Sequence, residues 1–191
     1  MKFTSNQLKA VFDKKEYQFS DIINIVGIRS TNDIANSFDD WLYLIYKDEN
    51  LEILMEAPIT TDPGIDYLKS PLNANGTAIL VPGQYIGAYG LGLHQGKYNA
   101  LKQMKPVKIW RDNNRDASID KGGEIYEGIF GINIHRSNAK TESSIVGKWS
   151  AGCQVFKRVA DFNFLLDICK KSQQKSFTYT LLEETDFNPF Y

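Results

Sequence analysis

Short runs of β-branched and aromatic residues, separated by turn-forming residues, dominate the chain from residue 41 onward. The five clearest runs occupy residues 41–46, 51–57, 78–81, 107–110 and 129–134. The segments that interrupt them are rich in Asp, Asn, Gly or Pro at residues 47–50, 62–64 and 73–76. Runs of this length and spacing predict a mixed or antiparallel β-sandwich or β-barrel. The expected fold class is therefore mainly β, of the α+β type.

A short amphipathic helix is predicted near the N-terminus. Within residues 5–19, Leu8, Val11 and Phe12 recur at helical spacing after residues that commonly cap helices. The apolar run at residues 21–29 fits either a strand or a helix. The polar stretch that follows fits either a connection or a second capped helix.

The change from helical to β-rich patterning divides the chain into two parts. We expect residues 1–37 to form a helical addition and residues 38–191 to form the main domain. Within the main domain, residues 159–171 predict one C-terminal helix, and residues 176–182 predict a closing strand. A length of 191 residues suits one well-buried domain with a small appendage, and is short for two full domains.

A histidine and a cysteine form the part of the sequence that most directly indicates chemistry. His135 precedes Cys153 by 18 positions (153 minus 135), and Cys153 ends a Ser-x-Gly-Cys sequence. A thiol attacks acyl groups as its thiolate, so it needs a base or a cation that lowers its pKa from about 8.5. His135 is the candidate base, and Ser150 is expected to brace the turn. Gly152 would let the backbone N–H groups of residues 152 and 153 approach a developing oxyanion.

These residues resemble the L,D-transpeptidase catalytic domain, the YkuD-like family of bacterial cell-wall enzymes. The motif of that family places a histidine after an apolar strand and, at similar spacing, a Ser-His-Gly-Cys turn. Residues 131–135 match the strand and the base. Residues 150–153 match the turn except at Ala151, where the family often has a second histidine, and residues 154–155 depart from the usual apolar-Arg pair. The likeness spans roughly residues 38–160.

The resemblance implies that a peptidoglycan stem peptide acylates Cys153 through the carbonyl of meso-diaminopimelate or a similar residue. Water or an amine would then release the acyl group, which gives hydrolysis or cross-linking without a required cofactor. It also implies that the backbone carbonyl of Arg136 orients the base. The guanidinium of Arg136 is a candidate partner for a substrate carboxylate, and Trp149 is a candidate wall of the cleft.

Charge and hydropathy limit the other partners. The chain has 22 Lys and Arg against 23 Asp and Glu, which indicates neither a nucleic-acid partner nor an anionic membrane. No stretch approaches the roughly 20 apolar residues of a transmembrane helix, and residues 1–8 lack the apolar core of a secretion signal. We therefore expect no membrane insertion. A protein made in the cytoplasm that reaches the cell wall after release or injection, such as a phage lysis protein, fits this pattern.

The glycine-rich segment 87–96 contains the other histidine of the chain. It is expected to form either a flap over the cleft, in which His94 or Tyr89 touches the peptide, or a plain loop. A different enzyme class would use His94, His135 and Cys153 as zinc ligands with a fourth position open to water, as in a zinc-dependent cell-wall amidase.

A second candidate ion site lies in the loop that follows the run at 107–110. Asp112, Asn114, Asp116 and Asp120 stand at alternating positions, as the oxygen ligands of Ca²⁺ do in short calcium loops. Ala117 replaces the usual glycine at position six, and no acidic residue occupies position twelve. The alternatives are a structural Ca²⁺ site and a solvated turn.

The non-catalytic alternative is a wall-binding or virion structural domain in which Cys153 is inert. Trp110, Trp149 and the tyrosines would then form a binding platform, or belong to the core.

Cys169 recurs with apolar neighbours at helical spacing and is expected in the core. A disulfide between the two cysteines would remove the nucleophile. Nothing in the sequence indicates the oligomeric state.

Overall fold

The structure, a computed structural model, describes residues 3–47 and 49–188. Strands in this part of the chain are β1 (Ile23–Arg29), β2 (Asp40–Lys47), β3 (Leu51–Thr60), β4 (Thr77–Leu80), β5 (Gly83–His94), β6 (Tyr98–Gln103), β7 (Val107–Asp112), β8 (Tyr126–Gly128), β9 (Ile134–Arg136), β10 (Gln154–Phe156) and β11 (Phe177–Glu183). The α-helices are α1 (Ser5–Lys14), α2 (Ile65–Lys69) and α3 (Val159–Lys171), and 3-10 turns lie at Gly147–Trp149 and Glu184–Phe187. The prediction of a mainly β protein is confirmed.

Eight strands close into a barrel in the order β1-β11-β5-β6-β9-β10-β3-β2. Most neighbours run antiparallel, whereas β1 and β11, and also β9 and β10, run parallel. The other strands form a separate three-stranded sheet in the order β4-β7-β8. The sequence left a sandwich and a barrel open, and the strand pairing resolves that choice in favour of a barrel.

Strand β1 is buried along its whole length because its two faces pack against different clusters. Ile23 and Ile25 belong to the main core, while the alternate residues Val26 and Ile28 belong to the cluster under α1. This double burial explains why the sequence shows no polar alternation here. The expected domain boundary at residue 37 falls between β1 and β2, which are paired neighbours in one barrel. Of the described residues before 37, which were predicted to be a helical addition, only those of α1 form an α-helix.

Helix α1 covers one side of the barrel. Thr4 caps it through a reciprocal hydrogen-bond pair with Gln7, and Leu8, Val11 and Phe12 are buried. The helix is shorter than the predicted segment 5–19, because the chain turns back after Lys14 and stacks Phe19 on Phe12 with ring centroids 3.9 Å apart.

The predicted strand at residues 129–134 is wrong except at its last residue, which begins β9. In its place, the side-chain oxygen of Gln103 accepts hydrogen bonds from the backbone N–H groups of Phe130 and Ile132, each at 3.0 Å. A side chain therefore satisfies backbone donors that a neighbouring strand would otherwise bind.

The segment 87–96 is neither a flap nor a plain loop. Most of it lies in the 12-residue strand β5, which pairs with β6 on one side and with β11 on the other. His94 ends this strand, and the turn to β6 follows directly.

Helix α3 follows β10 and occupies the residues predicted for it. Phe162, Leu165, Leu166 and Cys169 from this helix are buried in the main core. Both cysteines are free thiols, and Cys169 is the buried one. Within residues 3–47 and 49–188, no helix has the length and apolar character needed to cross a membrane.

Candidate active site

The parallel pair of β9 and β10 brings His135 and Cys153 to the same region of the barrel. His135 is aligned with Val155 in this pair, and Cys153 lies immediately before β10. Both side chains line one cleft of about 570 Å³. Other residues of its wall include Tyr67, Ala78, His94, Arg111, Phe130 and Trp149.

The turn that carries Cys153 is held by Ser150. The Ser150 hydroxyl donates to the carbonyl of Cys153 at 2.8 Å, and the backbone N–H of Gly152 donates to the Ser150 oxygen at 3.1 Å. Gly152 has φ of +111°, and a Cβ at this position would lie 2.2 Å from the carbonyl oxygen of Ala78. The turn therefore requires glycine for its conformation and for its close contact with β4.

This hydrogen bonding alters the expected oxyanion site. Because the N–H of Gly152 already donates to Ser150, it is not free to bind an oxyanion. The N–H of Cys153 has no acceptor among the described residues. In the predicted oxyanion site, the donor that remains is thus the backbone N–H of Cys153, the candidate nucleophile.

Gln154 supports the turn from the barrel interior. Its amide nitrogen donates to the carbonyl of Gly152 at 3.3 Å, and its amide oxygen accepts a hydrogen bond from the Tyr179 hydroxyl at 2.7 Å. Gln154 and Tyr179 are both fully buried. The departure from the family pattern at residue 154 therefore coincides with an internal brace of the turn.

His135 is oriented by the backbone of the next residue. Its Nδ1 lies 2.8 Å from the carbonyl oxygen of Arg136. Since a carbonyl only accepts, Nδ1 carries the proton and Nε2 keeps its lone pair. The Tyr98 hydroxyl lies 3.2 Å from Nδ1 and donates to the same carbonyl at 3.4 Å. His135 is thereby held in the tautomer that can accept a proton at Nε2.

The pKa values of His135 and Cys153 both favour the neutral side chain at pH 7. Burial, followed by the neighbouring His94, lowers the pKa of His135 to about 3. Burial raises the pKa of Cys153 to about 11, and a hydrogen bond from the backbone of Asn133 offsets part of this effect. The thiol lies 3.4 Å from the Gly131 carbonyl, to which it can donate. The expected lowering of the thiol pKa is therefore not observed, because burial outweighs any stabilisation of the thiolate.

His94 lies beside the candidate base. The two imidazole rings stack with centroids 4.0 Å apart and an interplanar angle of 25°. The Nδ1 of His94 lies 3.2 Å from the side-chain amide nitrogen of Asn133, which donates to it. Burial lowers the pKa of His94, with smaller contributions from Lys97 and Arg136. His94 therefore adds a second neutral imidazole to the cleft wall.

The zinc arrangement finds no support in this geometry. Among the described residues, no three His, Cys, Asp or Glu side chains are placed so that they could hold one metal ion. The Nδ1 atoms of His94 and His135 already have hydrogen-bond partners.

The predicted substrate-binding residues divide between the cleft and the barrel. Trp149 lines the cleft and is 42% exposed. Tyr89 is 0% exposed and packs edge-on against Tyr179 inside the barrel, so it cannot touch a substrate. The guanidinium of Arg136 lies 4.1 Å above the Tyr98 ring, donates to the Ser137 carbonyl and does not line the cleft. The predicted contact of the Arg136 side chain with a substrate carboxylate therefore stays a prediction, whereas its backbone carbonyl lies 2.8 Å from Nδ1 of His135.

Sequence reasoning missed several residues of the site. Tyr98 and Arg111 belong to other elements, and no spacing in the sequence connects them with the His/Cys motif. Lys148 lies two residues before Ser150, but the sequence alone does not show that it lines the cleft. Asn133 lies within the motif segment, but its contact with His94 depends on the long β5 strand that was not predicted.

The acidic loop after β7 is closed by its own hydrogen bonds. The amide nitrogen of Asn114 donates to Asp116 at 3.0 Å and to Asp120 at 2.6 Å. Asp112 accepts a hydrogen bond from the backbone of Asp120 at 3.0 Å, and burial raises its pKa. No metal-binding arrangement of acidic side chains is present in the described residues. These contacts are those of a hydrogen-bonded turn.

Comparison with known proteins adds no identification. No protein-family model matches the chain, and no curated protein matches it.

Proposed function

We propose that this protein is a peptidoglycan-directed cysteine acyl-transfer enzyme with an L,D-transpeptidase-like catalytic barrel. The observation that carries the proposal is the shared cleft of Cys153 and His135, in which the base presents a neutral Nε2. The substrate class comes from the sequence resemblance. A cleft of about 570 Å³ is large enough for a few residues of an extended peptide.

In the first half of the proposed reaction, the substrate carbonyl enters the cleft beside Cys153. The S–H proton moves to Nε2 of His135 while sulfur forms a bond to the carbonyl carbon. The N–H of Cys153 donates to the resulting oxyanion. The C–N bond then breaks, the amine leaves with the proton from Nε2, and a thioester remains on Cys153.

In the second half, water or an amine attacks the thioester carbonyl. His135 takes the proton from the attacking group and returns it to sulfur as the C–S bond breaks. Water gives peptide hydrolysis, as in an endolysin, and an amine gives a cross-link. The neutral resting pair favours proton transfer during the attack over a preformed thiolate.

Purified muropeptides incubated with wild type, Cys153→Ala and His135→Ala test this proposal. We expect no turnover for Cys153→Ala and a loss of about 10²–10⁴-fold for His135→Ala. Cys169→Ala is the matched control, because its thiol is buried in the core and outside the cleft. Product masses distinguish hydrolysis from cross-linking.

Unchanged turnover in Cys153→Ala would refute the thiol mechanism. Inactivation of wild type by a chelator but not by a thiol alkylator would instead favour a zinc enzyme. Binding of wild type to sacculi with no product formed would favour a structural wall-binding domain.

A further inference from the structure

The charged side chains that line the cleft are of one sign. Arg111 and Lys148 are cationic, and no Asp or Glu of the described chain lines this cleft. His94 and His135 are neutral because burial lowers the pKa of each imidazole. The cleft of a protein with nearly balanced overall charge is therefore locally positive.

Arg111 is a half-buried cation with few partners. It lies on β7, and its Nη1 donates to the carbonyl of Gly76 at 2.9 Å. Its guanidinium carbon lies 5.4 Å from the centre of the Phe130 ring. No carboxylate among the described residues comes within ion-pair distance, and Nε and Nη2 have no acceptor there. Most of its hydrogen-bonding capacity is open to a ligand.

A comparison with Arg29 shows what a structural arginine looks like in this fold. Each of the three guanidinium nitrogens of Arg29 has an oxygen partner, supplied by Thr61 or the Leu80 carbonyl, and Asp62 forms an ion pair with it. A buried or half-buried guanidinium usually acquires such partners, because desolvation without them is unfavourable. Arg111 lacks them and lines the same cleft as Cys153.

Lys148 extends the positive wall on the other side of the turn. It lies in the 3-10 turn that also carries Trp149, and its exposed ammonium has no ion-pair partner in the described chain. The turn directly precedes Ser150, and Lys148 lines the same cleft as Cys153.

We propose that Arg111 binds a carboxylate of the acyl donor and thereby selects peptides with a free carboxylate close to the scissile carbonyl. This inference rests on the proposed acyl-transfer function and deepens it. The planar guanidinium can bind both carboxylate oxygens, which fixes the orientation of the peptide as well as its charge. Lys148 adds a second, less directional attraction.

The test compares a stem tetrapeptide with free carboxylates against the same peptide in which every carboxylate is amidated. We expect Arg111→Gln to raise KM for the acid peptide about 10–100-fold and to leave KM for the amide peptide nearly unchanged. Arg111→Lys should retain part of the preference. Lys108→Gln is the matched control, because Lys108 lies on the same strand, is exposed and does not line the cleft.

Binding of both peptides is also measured in the inactive Cys153→Ala protein, with and without Arg111→Gln. If wild type turns over neither peptide but Cys153→Ala prefers the acid peptide through Arg111, the inference stands and the acyl-transfer proposal fails. Equal affinity of Cys153→Ala for the two peptides would overturn the inference. Equal losses on both peptides in Arg111→Gln, with a lowered melting temperature, would also overturn it and assign Arg111 a structural role.

Discussion

Arg29 and His135 are both basic and almost completely buried, at 1% and 3% exposure, but their surroundings differ. Arg29 is charged, and its guanidinium meets three oxygen acceptors and the carboxylate of Asp62 at 3.1 Å. His135 is neutral, and one of its nitrogens has partners while the other keeps its lone pair. The comparison teaches that a buried cation with an oxygen partner at every nitrogen stabilises the structure. A neutral imidazole that lines a cleft and keeps one nitrogen without a partner can instead accept a proton.

The two regions are nevertheless linked through the backbone. Thr61 and Asp62, which bind Arg29, directly follow β3, and the N–H of Gly64 donates to the Ser150 carbonyl at 2.9 Å. Asp40 accepts hydrogen bonds from both the N–H and the hydroxyl of Thr61. The ionic cluster therefore anchors the segment against which the turn before Cys153 rests.

The largest effect is expected from Arg29→Leu. This change removes the buried cation that lies 3.1 Å from Asp62 and leaves that carboxylate with the more distant Lys121 at 3.6 Å, so the free energy of unfolding should fall by about 3–5 kcal/mol in urea titrations. Lys9→Ala, which breaks an exposed ion pair with Asp13, should cost about 0.3–0.5 kcal/mol. A loss below about 1 kcal/mol for Arg29→Leu would show that the contacts of Arg29 with Thr61 and Asp62 contribute little to stability.

Gly152→Ala tests how much the stability of the turn before Cys153 depends on the close packing of Gly152 against Ala78. The left-handed backbone and the contact with Ala78 predict a loss of about 2–4 kcal/mol in unfolding free energy, together with a loss of turnover. Gly96→Ala also has positive φ, +71°, but has open space around its Cβ, so it should cost only about 1–2 kcal/mol. Equal effects of the two substitutions would contradict the role of the Ala78 contact.

The neutral state of His135 predicts a pH dependence of stability. Its folded pKa of about 3 lies below the ordinary value of 6.5, so its contribution is complete above pH 6.5 and is lost as the pH falls toward 3. The unfolding free energy of wild type should therefore drop relative to His135→Gln between pH 7 and pH 4, by at most about 3 kcal/mol. Parallel curves for the two proteins over this range would show that His135 is not held neutral by the fold.

The raised pKa of Cys153 predicts slow alkylation at neutral pH. With a pKa of about 11, the thiolate fraction at pH 7 is on the order of 100-fold below that of an unstructured cysteine, and iodoacetamide should react correspondingly slowly. The rate should rise steadily with pH, as followed by peptide mass mapping of Cys153 against Cys169. A plateau through the neutral range would instead indicate a preformed thiolate–imidazolium pair.

Local patterns predicted the parts of the fold that depend on local spacing. Helix α3 and strands β2, β3 and β7 form where periodicity and turn residues placed them. The region around β5 and β6 was missed because glycines weaken the strand pattern there and because pairing with β11 occurs across a long sequence separation. The pattern of residues 129–133 predicts a strand, yet the backbone N–H groups of Phe130 and Ile132 donate to the Gln103 side chain. No local pattern reveals this contact.

The site shows the same division between local and long-range information. His135, Ser150, Gly152 and Cys153 were identified because they fall in two short segments, one within β9 and one directly before β10, and these two strands are paired. The direction of the Arg136 side chain depends on Tyr98, which lies 38 residues earlier in the sequence. No pattern in the sequence indicates that Arg111 lines the cleft, since this depends on how the barrel and the three-stranded sheet meet.

The contact between Ala78 and Gly152 has a consequence for how this domain can diversify. Ala78 is paired with Arg111 across β4 and β7, and its carbonyl packs against the glycine of the nucleophile turn. This single cross-strand pair thus sets the position of the Arg111 charge and also contacts the turn that carries Cys153. A single-residue slip of β4 along β7 would displace both together, so descendants of this chain that change their ligand preference are expected to do so by exchanging side chains within a fixed alignment.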